Sequence, residues 1–176
     1  MGFDVHGLKP KLNKPMSEFP IMEKYDKMED KWPALSKNEE ERKLYWKERD
    51  EFDKSNVGNY FRNNCWWWRP LWHFICSTCE DILTKEEMDS GNYNDGCLID
   101  DKRAKQIAER IEQLDKEGII AKHQVEYEAT RLQAEEENKN KKDNEDKNWA
   151  AHYPFYRENV LQFAKFAKES GGFEIW

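Results

Sequence analysis

Residues 60–72 read Tyr60-Phe61-Arg62-Asn63-Asn64-Cys65-Trp66-Trp67-Trp68-Arg69-Pro70-Leu71-Trp72, and this string limits what the chain can fold into more than any other. Four of the eight tryptophans fall within it. A core can take apolar bulk from Leu or Ile at no polar cost, whereas each buried indole brings an N–H that must find an acceptor. Trp beside Arg and Asn suggests instead a rigid aromatic wall with directional polar groups, suited to a flat, partly charged ligand. Helical spacing divides the string. Trp68 and Trp72 share one face and Trp66 and Arg69 another, so the rings cannot all line a single wall. The competing reading makes most of them core, with Arg69 bridging helix carbonyls.

Such a string needs a body to carry it. At 176 residues one domain is expected, long enough to bury a core without disulfide staples. The chain is 37% charged with a mean hydropathy of -1.12, yet 14% aromatic. Low hydropathy alone would suggest disorder, but disordered segments are poor in aromatics, so the reading is an aromatic core carrying long solvated helical faces. A net charge of -7 argues against a general nucleic-acid binder, which must neutralise phosphates. The longest apolar stretch, residues 65–75, is too short for a membrane span and is broken by Arg69, Pro70 and His73. Met1-Gly2-Phe3-Asp4 lacks the basic start and apolar run of a secretory signal, so the four cysteines are expected as reduced thiols.

The pattern predicts a mainly α fold: a compact helical domain with a small two-stranded β-ribbon formed by the chain ends. Residues 1–35 read as a strand, Gly2-Phe3-Asp4-Val5-His6-Gly7-Leu8, and then a loop without helical period. Residues 36–134 form the helical core. Its first helix, about 36–53, opens on Ser36-Lys37-Asn38-Glu39, and a buried helix begins at Pro70. Thr84-Lys85-Glu86-Glu87 is a second capping box, for a short helix closed by Ser90-Gly91. Asp100 or Asp101 caps a helix whose face is Ala104, Ile107, Ala108, Ile111 and Leu114. Residues 135–148 read as a mobile polar linker, and 149–176 as a closing helix and strand. Two terminal strands should pair, because a lone strand leaves its backbone unsatisfied.

Other chemistry is thin. The turn-rich loop of Asn92, Tyr93, Asn94, Asp95 and Gly96 precedes a helix and could offer backbone N–H groups to an anion, although a plain turn is favoured. His73, Cys76 and Cys79 lie at i, i+3, i+6, with Cys97 beyond. Structural zinc ligands favour knuckles over mid-helix positions, so no metal and no cofactor is expected, and a Cys76–Cys79 redox pair lacks a βαβ context. Asp4 and His6 share one side of a strand but no nucleophile elbow or zincin motif accompanies them.

The central string, with the opening Met1-Gly2-Phe3-Asp4-Val5-His6-Gly7-Leu8 and the closing Tyr153-Pro154-Phe155 and Ser170-Gly171-Gly172-Phe173, resembles a group of uncharacterised phage-encoded proteins. The resemblance implies a phage or prophage accessory protein acting in a bacterial cytoplasm, and it assigns no residue a role. Small phage proteins without a catalytic signature often resemble counter-defence factors that sequester nucleotide signals. On that analogy the ligand is a small nucleotide-derived molecule. Trp66, Trp67, Trp68 and Trp72 would stack on it, and Arg62 and Arg69 would hold phosphate. Asn63, Asn64 and the 92–96 loop would give specificity. A homo-oligomer fits, since a short chain closes a pocket more easily across a symmetric interface. Two rival classes are a protein–protein inhibitor working through a Trp/Arg patch and a nucleotide hydrolase using Asp4, His6 or Asp95.

Overall fold

The computed structural model describes residues 2–142 and 146–176. Strand β1 (Gly2–Gly7) leads through a short 3-10 turn into helices α1 (Pro20–Asp26), α2 (Lys31–Lys37) and α3 (Glu39–Ser55). Strand β2 (Tyr60–Asn64) feeds α4 (Cys65–Thr78), followed by α5 (Lys85–Ser90), strand β3 (Cys97–Asp100), α6 (Asp101–Lys116) and α7 (Ile119–Lys139). A 3-10 turn, Trp149–His152, then precedes α8 (Arg157–Glu169) and strand β4 (Gly172–Ile175).

The fold is mainly helical, but the chain ends do not form a two-stranded ribbon. They pair, Val5 opposite Ile175, as the two central strands of a four-stranded antiparallel sheet of order β2-β1-β4-β3. On one face Phe3, Val5, Phe61, Ile99, Phe173 and Ile175 are buried beneath α4, α6 and α8. The other face is open and carries Asp4, His6, Arg62 and Leu98. The sequence pattern does not announce β2, because Asn63 stands at a covered position, where alternation calls for an apolar residue.

Helix ends follow local chemistry. The Thr84–Glu87 capping box forms, and Asp100 caps α6 by accepting from the Arg103 N–H at 2.9 Å. Gly118, at φ 74°, ends α6 in the left-handed region that glycine enters freely. Three expectations are corrected. Asn38, not Ser36, caps α3, its side chain accepting from Glu41, while Ser36 lies inside α2 and bonds back to Pro33. Helix α4 starts at Cys65, before Pro70, because Asn64 accepts from the Trp67 N–H at 3.0 Å. The stretch 135–148 is not a free linker throughout: 135–139 close α7, and Asn148 exchanges two hydrogen bonds with Asn138. Residues 143–145 of that stretch lie outside the described residues.

Helices α1 and α2 occupy a stretch that read as loop. Together with α3 they bury a separate cluster of Phe19, Met22, Tyr25, Leu35, Tyr45 and Phe52. Asn56 ties this cluster to the preceding segment. Fully buried, it accepts from the Asn13 and Lys14 N–H groups and donates to the Lys14 carbonyl.

Candidate functional site

The tryptophan string divides between core and surface. Trp68 and Trp72 are fully buried, their rings parallel within 10° and 5.5 Å apart, and Phe3 extends the stack. Their indole N–H groups donate to main-chain carbonyls: Trp68 to Gly91 at 2.8 Å and Trp72 to Met88 at 3.0 Å. The polar cost of burying indoles is thus met by main-chain carbonyls at the C-terminal end of α5, which have no helical partner. Neither ring can meet a ligand, which corrects their assignment as stacking residues.

Asn63 is corrected likewise. It sits on the covered sheet face and donates to Asn159 of α8 at 3.0 Å, a buried amide pair rather than a specificity contact. Asn64 is spent on the α4 cap. Arg62 lies on the open sheet face, 3.5 Å from Asp4. Three of the five N–H groups of the 92–96 loop are already taken. The N–H groups of Asn92, Tyr93 and Gly96 are bonded to Asp89, Ser90 and Ile175 carbonyls, and the Asn94 amide donates to Gly2 at 2.7 Å. Tyr93 and Asp95 are exposed, but neither faces the remaining tryptophans' cleft.

What stays available is the outer face of the first turns of α4. Trp66 packs its ring 5.0 Å from Tyr153 and 5.7 Å from His152, and Trp149 also approaches His152, at 5.7 Å. Trp149 is 65% exposed. The Arg69 guanidinium lies over the Tyr153 ring and donates to its hydroxyl at 3.2 Å. Arg69, Pro70, His73, Tyr127, Trp149 and Tyr153 enclose an open cleft of about 640 Å³, within the range of small-ligand sites. Trp67, half exposed, turns aside and meets Tyr156 edge-on at 5.2 Å.

No family model, curated protein or solved structure matches this chain.

Electrostatics single out Arg69. Arg49, Arg62, Arg103, Arg110, Arg131 and Arg157 each stand within ion-pair distance of a carboxylate. Among the described residues only Arg69 and the exposed Arg42 have no such partner, and of the two only Arg69 lines the cleft, where its neighbours are neutral or basic: Tyr153, Tyr127 and His73. Burial, with Tyr153 adding, pushes the Tyr127 hydroxyl up and keeps it a hydrogen-bond donor. An unpaired guanidinium flanked by open aromatic faces suits a planar anion.

The wall of the cleft is fixed from behind. Arg131 of α7 donates to the Ala151 carbonyl at 3.1 Å while paired with Glu128, and the Asn138–Asn148 exchange anchors the start of the turn. Trp149 is thus presented from a braced turn. Sequence reading missed Trp149, His152, Tyr153 and Tyr127 because they lie beside or beyond a stretch that reads as polar linker. The only signal was the lone Trp at its end.

The alternative chemistries fare differently. Cys76 and Cys79 line the inner side of α4, and burial, with the neighbouring Cys79 and Cys97, pushes the Cys76 thiol up to about 12, far from a reactive thiolate. Among the described residues no group of three His, Cys, Asp or Glu side chains could hold a metal ion, and no helix is long and apolar enough to cross a membrane. Asp4 accepts a short hydrogen bond from Tyr60 and pairs with Arg62, so its carboxylate is already engaged. Burial and Asp4 push the Tyr60 hydroxyl up to about 12, which keeps it a proton donor to that carboxylate.

Proposed function

We propose that the cleft between α4, α7 and the Trp149–His152 turn binds a small nucleotide-derived anion and holds it without transforming it. In a phage accessory protein, the role that the chain's resemblance implies, such binding would sequester a host immune signal. One observation carries the reading: Arg69 is a cation without a carboxylate partner among the described residues, in a chain of net charge -7, at the mouth of an aromatic cleft. Trp149 in the cleft lining, and the partly exposed Trp66 beside Tyr153, offer stacking surfaces for a base, and stacking on an aromatic side chain contributes about 1–3 kcal/mol per base. Arg69 and His73 would take the phosphate, and the Tyr127 hydroxyl would donate to a ring or ribose oxygen.

Isothermal titration against cyclic di- and trinucleotides and ADP-ribose isomers tests this. We expect heat with at least one member, lost in Arg69→Ala and Trp149→Ala, and the ligand recovered intact after heat denaturation. Titration heat that persists in Arg69→Ala would remove the cleft from the site. A chemically altered ligand would replace sequestration by catalysis.

A second reading, inhibition of a host protein, draws on a different observation. Trp32 and Trp46 stack 5.7 Å apart on α2 and α3, each at least half exposed and outside the cleft. Trp is enriched among residues that dominate protein interfaces. An aqueous quencher separates the two readings: a small ligand would shield Trp149 and Trp66, a protein partner Trp32 and Trp46.

A further inference from the structure

Helix α7 is the longest helix among the described residues, and it buries few of its side chains, Ile120 and Ala134 among them. Its outward line is apolar at the centre and charged at the ends. Val125 is 71% exposed, Leu132 51%, and Ala129 between them is exposed as well. Val125, Ala129, Leu132, Phe155 and Tyr156 line a shallow groove of about 400 Å³ along this face. Lys122 lies two turns before Ala129 and Glu136 two turns after it, on the same stripe. Spaced 122, 125, 129, 132, 136, these residues occupy alternating three- and four-residue steps, the spacing of a helix-pairing seam.

We infer that two copies of this chain associate through α7, antiparallel, about a two-fold axis at Ala129. The argument is self-complementarity. Both end charges stand seven residues from Ala129, so an antiparallel copy places Lys122 opposite Glu136 of the second copy, twice over. Val125 then meets Leu132 of the second copy, and Ala129 meets its own counterpart, whose small side chain lets the helices approach. A two-fold interface demands this reciprocity, in which residue i meets j and j meets i. Parallel pairing would instead oppose Lys122 to Lys122 and Glu136 to Glu136. The helix dipoles also favour the antiparallel arrangement.

The two end charges are free to take new partners. Lys122 reaches Glu126 only at 3.6 Å, and Glu136 pairs with Lys139 at 2.9 Å, both pairs lying largely in solvent. Exposed pairs of this kind are weak. Beside the seam, half-exposed Tyr156 and Trp67 widen the apolar surface toward what a stable dimer buries. The cleft residue Tyr127 lies on the opposite side of α7, so pairing leaves the cleft open. The inference does not depend on what the cleft binds.

Sedimentation equilibrium of the full chain, with the urea midpoint as a check on folding, decides the matter. The wild type is expected as a dimer. Leu132→Glu should raise the dimer dissociation constant about a hundredfold, and at a protein concentration where both chains are monomeric its midpoint should match the wild type, since Leu132 is exposed in the single chain. Lys122→Glu and Glu136→Lys should each weaken pairing by about tenfold. The double variant Lys122→Glu/Glu136→Lys should recover it, because the swap restores opposite charges across the axis. A wild type that stays monomeric overturns the inference. So does a dimer indifferent to Leu132→Glu, or a double variant as weak as the single ones.

Discussion

Gly91 lies directly against the indole of Trp72: a Cβ at that position would stand 2.2 Å from Cε2 of the ring. Its backbone is unstrained, at φ -63°, so the glycine is required by space rather than by conformation. Gly91→Ala is therefore expected to destabilise the fold by about 1–3 kcal/mol, as overpacking does, although alanine suits that φ. The urea midpoint checks this, and the pairing of Gly91 with Trp68 should make the loss larger than for an alanine at an open helix end.

The two halves of the tryptophan string should respond oppositely to the same substitution. Trp68→Phe removes a buried indole and strands the Gly91 carbonyl, a loss of about 2–4 kcal/mol. Trp66→Phe, at a ring 38% exposed, should cost under about 0.5 kcal/mol. Chemical denaturation of both variants checks the contrast. Ligand titration should reverse it, with Trp66→Phe the more affected of the two among folded proteins.

His123 gives a pH dependence with a definite sign. Burial between Phe74 and Phe155, at 4.9 Å and 4.6 Å, pushes its pKa below the ordinary 6.5; Glu126 opposes this and His73 adds to it. Below the ordinary value the unfolded chain binds a proton that the folded state refuses. Stability is then full above pH 6.5, falls as pH drops through that value, and levels off once the folded imidazole titrates too. Urea midpoints between about pH 7 and 5 should show this slope, and His123→Phe should flatten it.

Arg131 should act on the cleft at a distance. Its bond to the Ala151 carbonyl holds the turn that presents Trp149. Arg131→Lys keeps the charge but not the forked geometry that serves Ala151 and Glu128 together. Fluorescence anisotropy should report a more mobile Trp149. Affinity for a ligand of the cleft should fall several-fold, with the urea midpoint nearly unmoved.

Elements whose signals are local were legible in the sequence. The Thr84–Glu87 box, the Asp100 cap and the apolar stripe of α6 each depend on neighbours within a few residues, and they stand as read. The pairing of the terminal strands followed from backbone satisfaction, although not the sheet around them. Strand β2 was hidden because the residue that satisfies Asn63 is Asn159, 96 positions away. The site was half legible for the same reason. Trp68 and Trp72 are exempt from a binding role because Gly91 and Met88 carbonyls accept their N–H groups, and no side-chain pattern announces a carbonyl. Trp149 became a wall only through the Asn138–Asn148 exchange and Arg131, which fold a polar stretch back onto α7.

The position of β1 at the middle of the sheet sets a schedule for assembly. One of its neighbours is β2, but the other is β4, and Val5 waits for Ile175. Pairings so remote in sequence are slow to form, while α1, α2 and α3 can gather around their own cluster early. During synthesis, then, β1 keeps a bare edge until residues 172–175 have been made. Any chaperone that shields exposed strands would meet this chain there, before its aromatic interior exists.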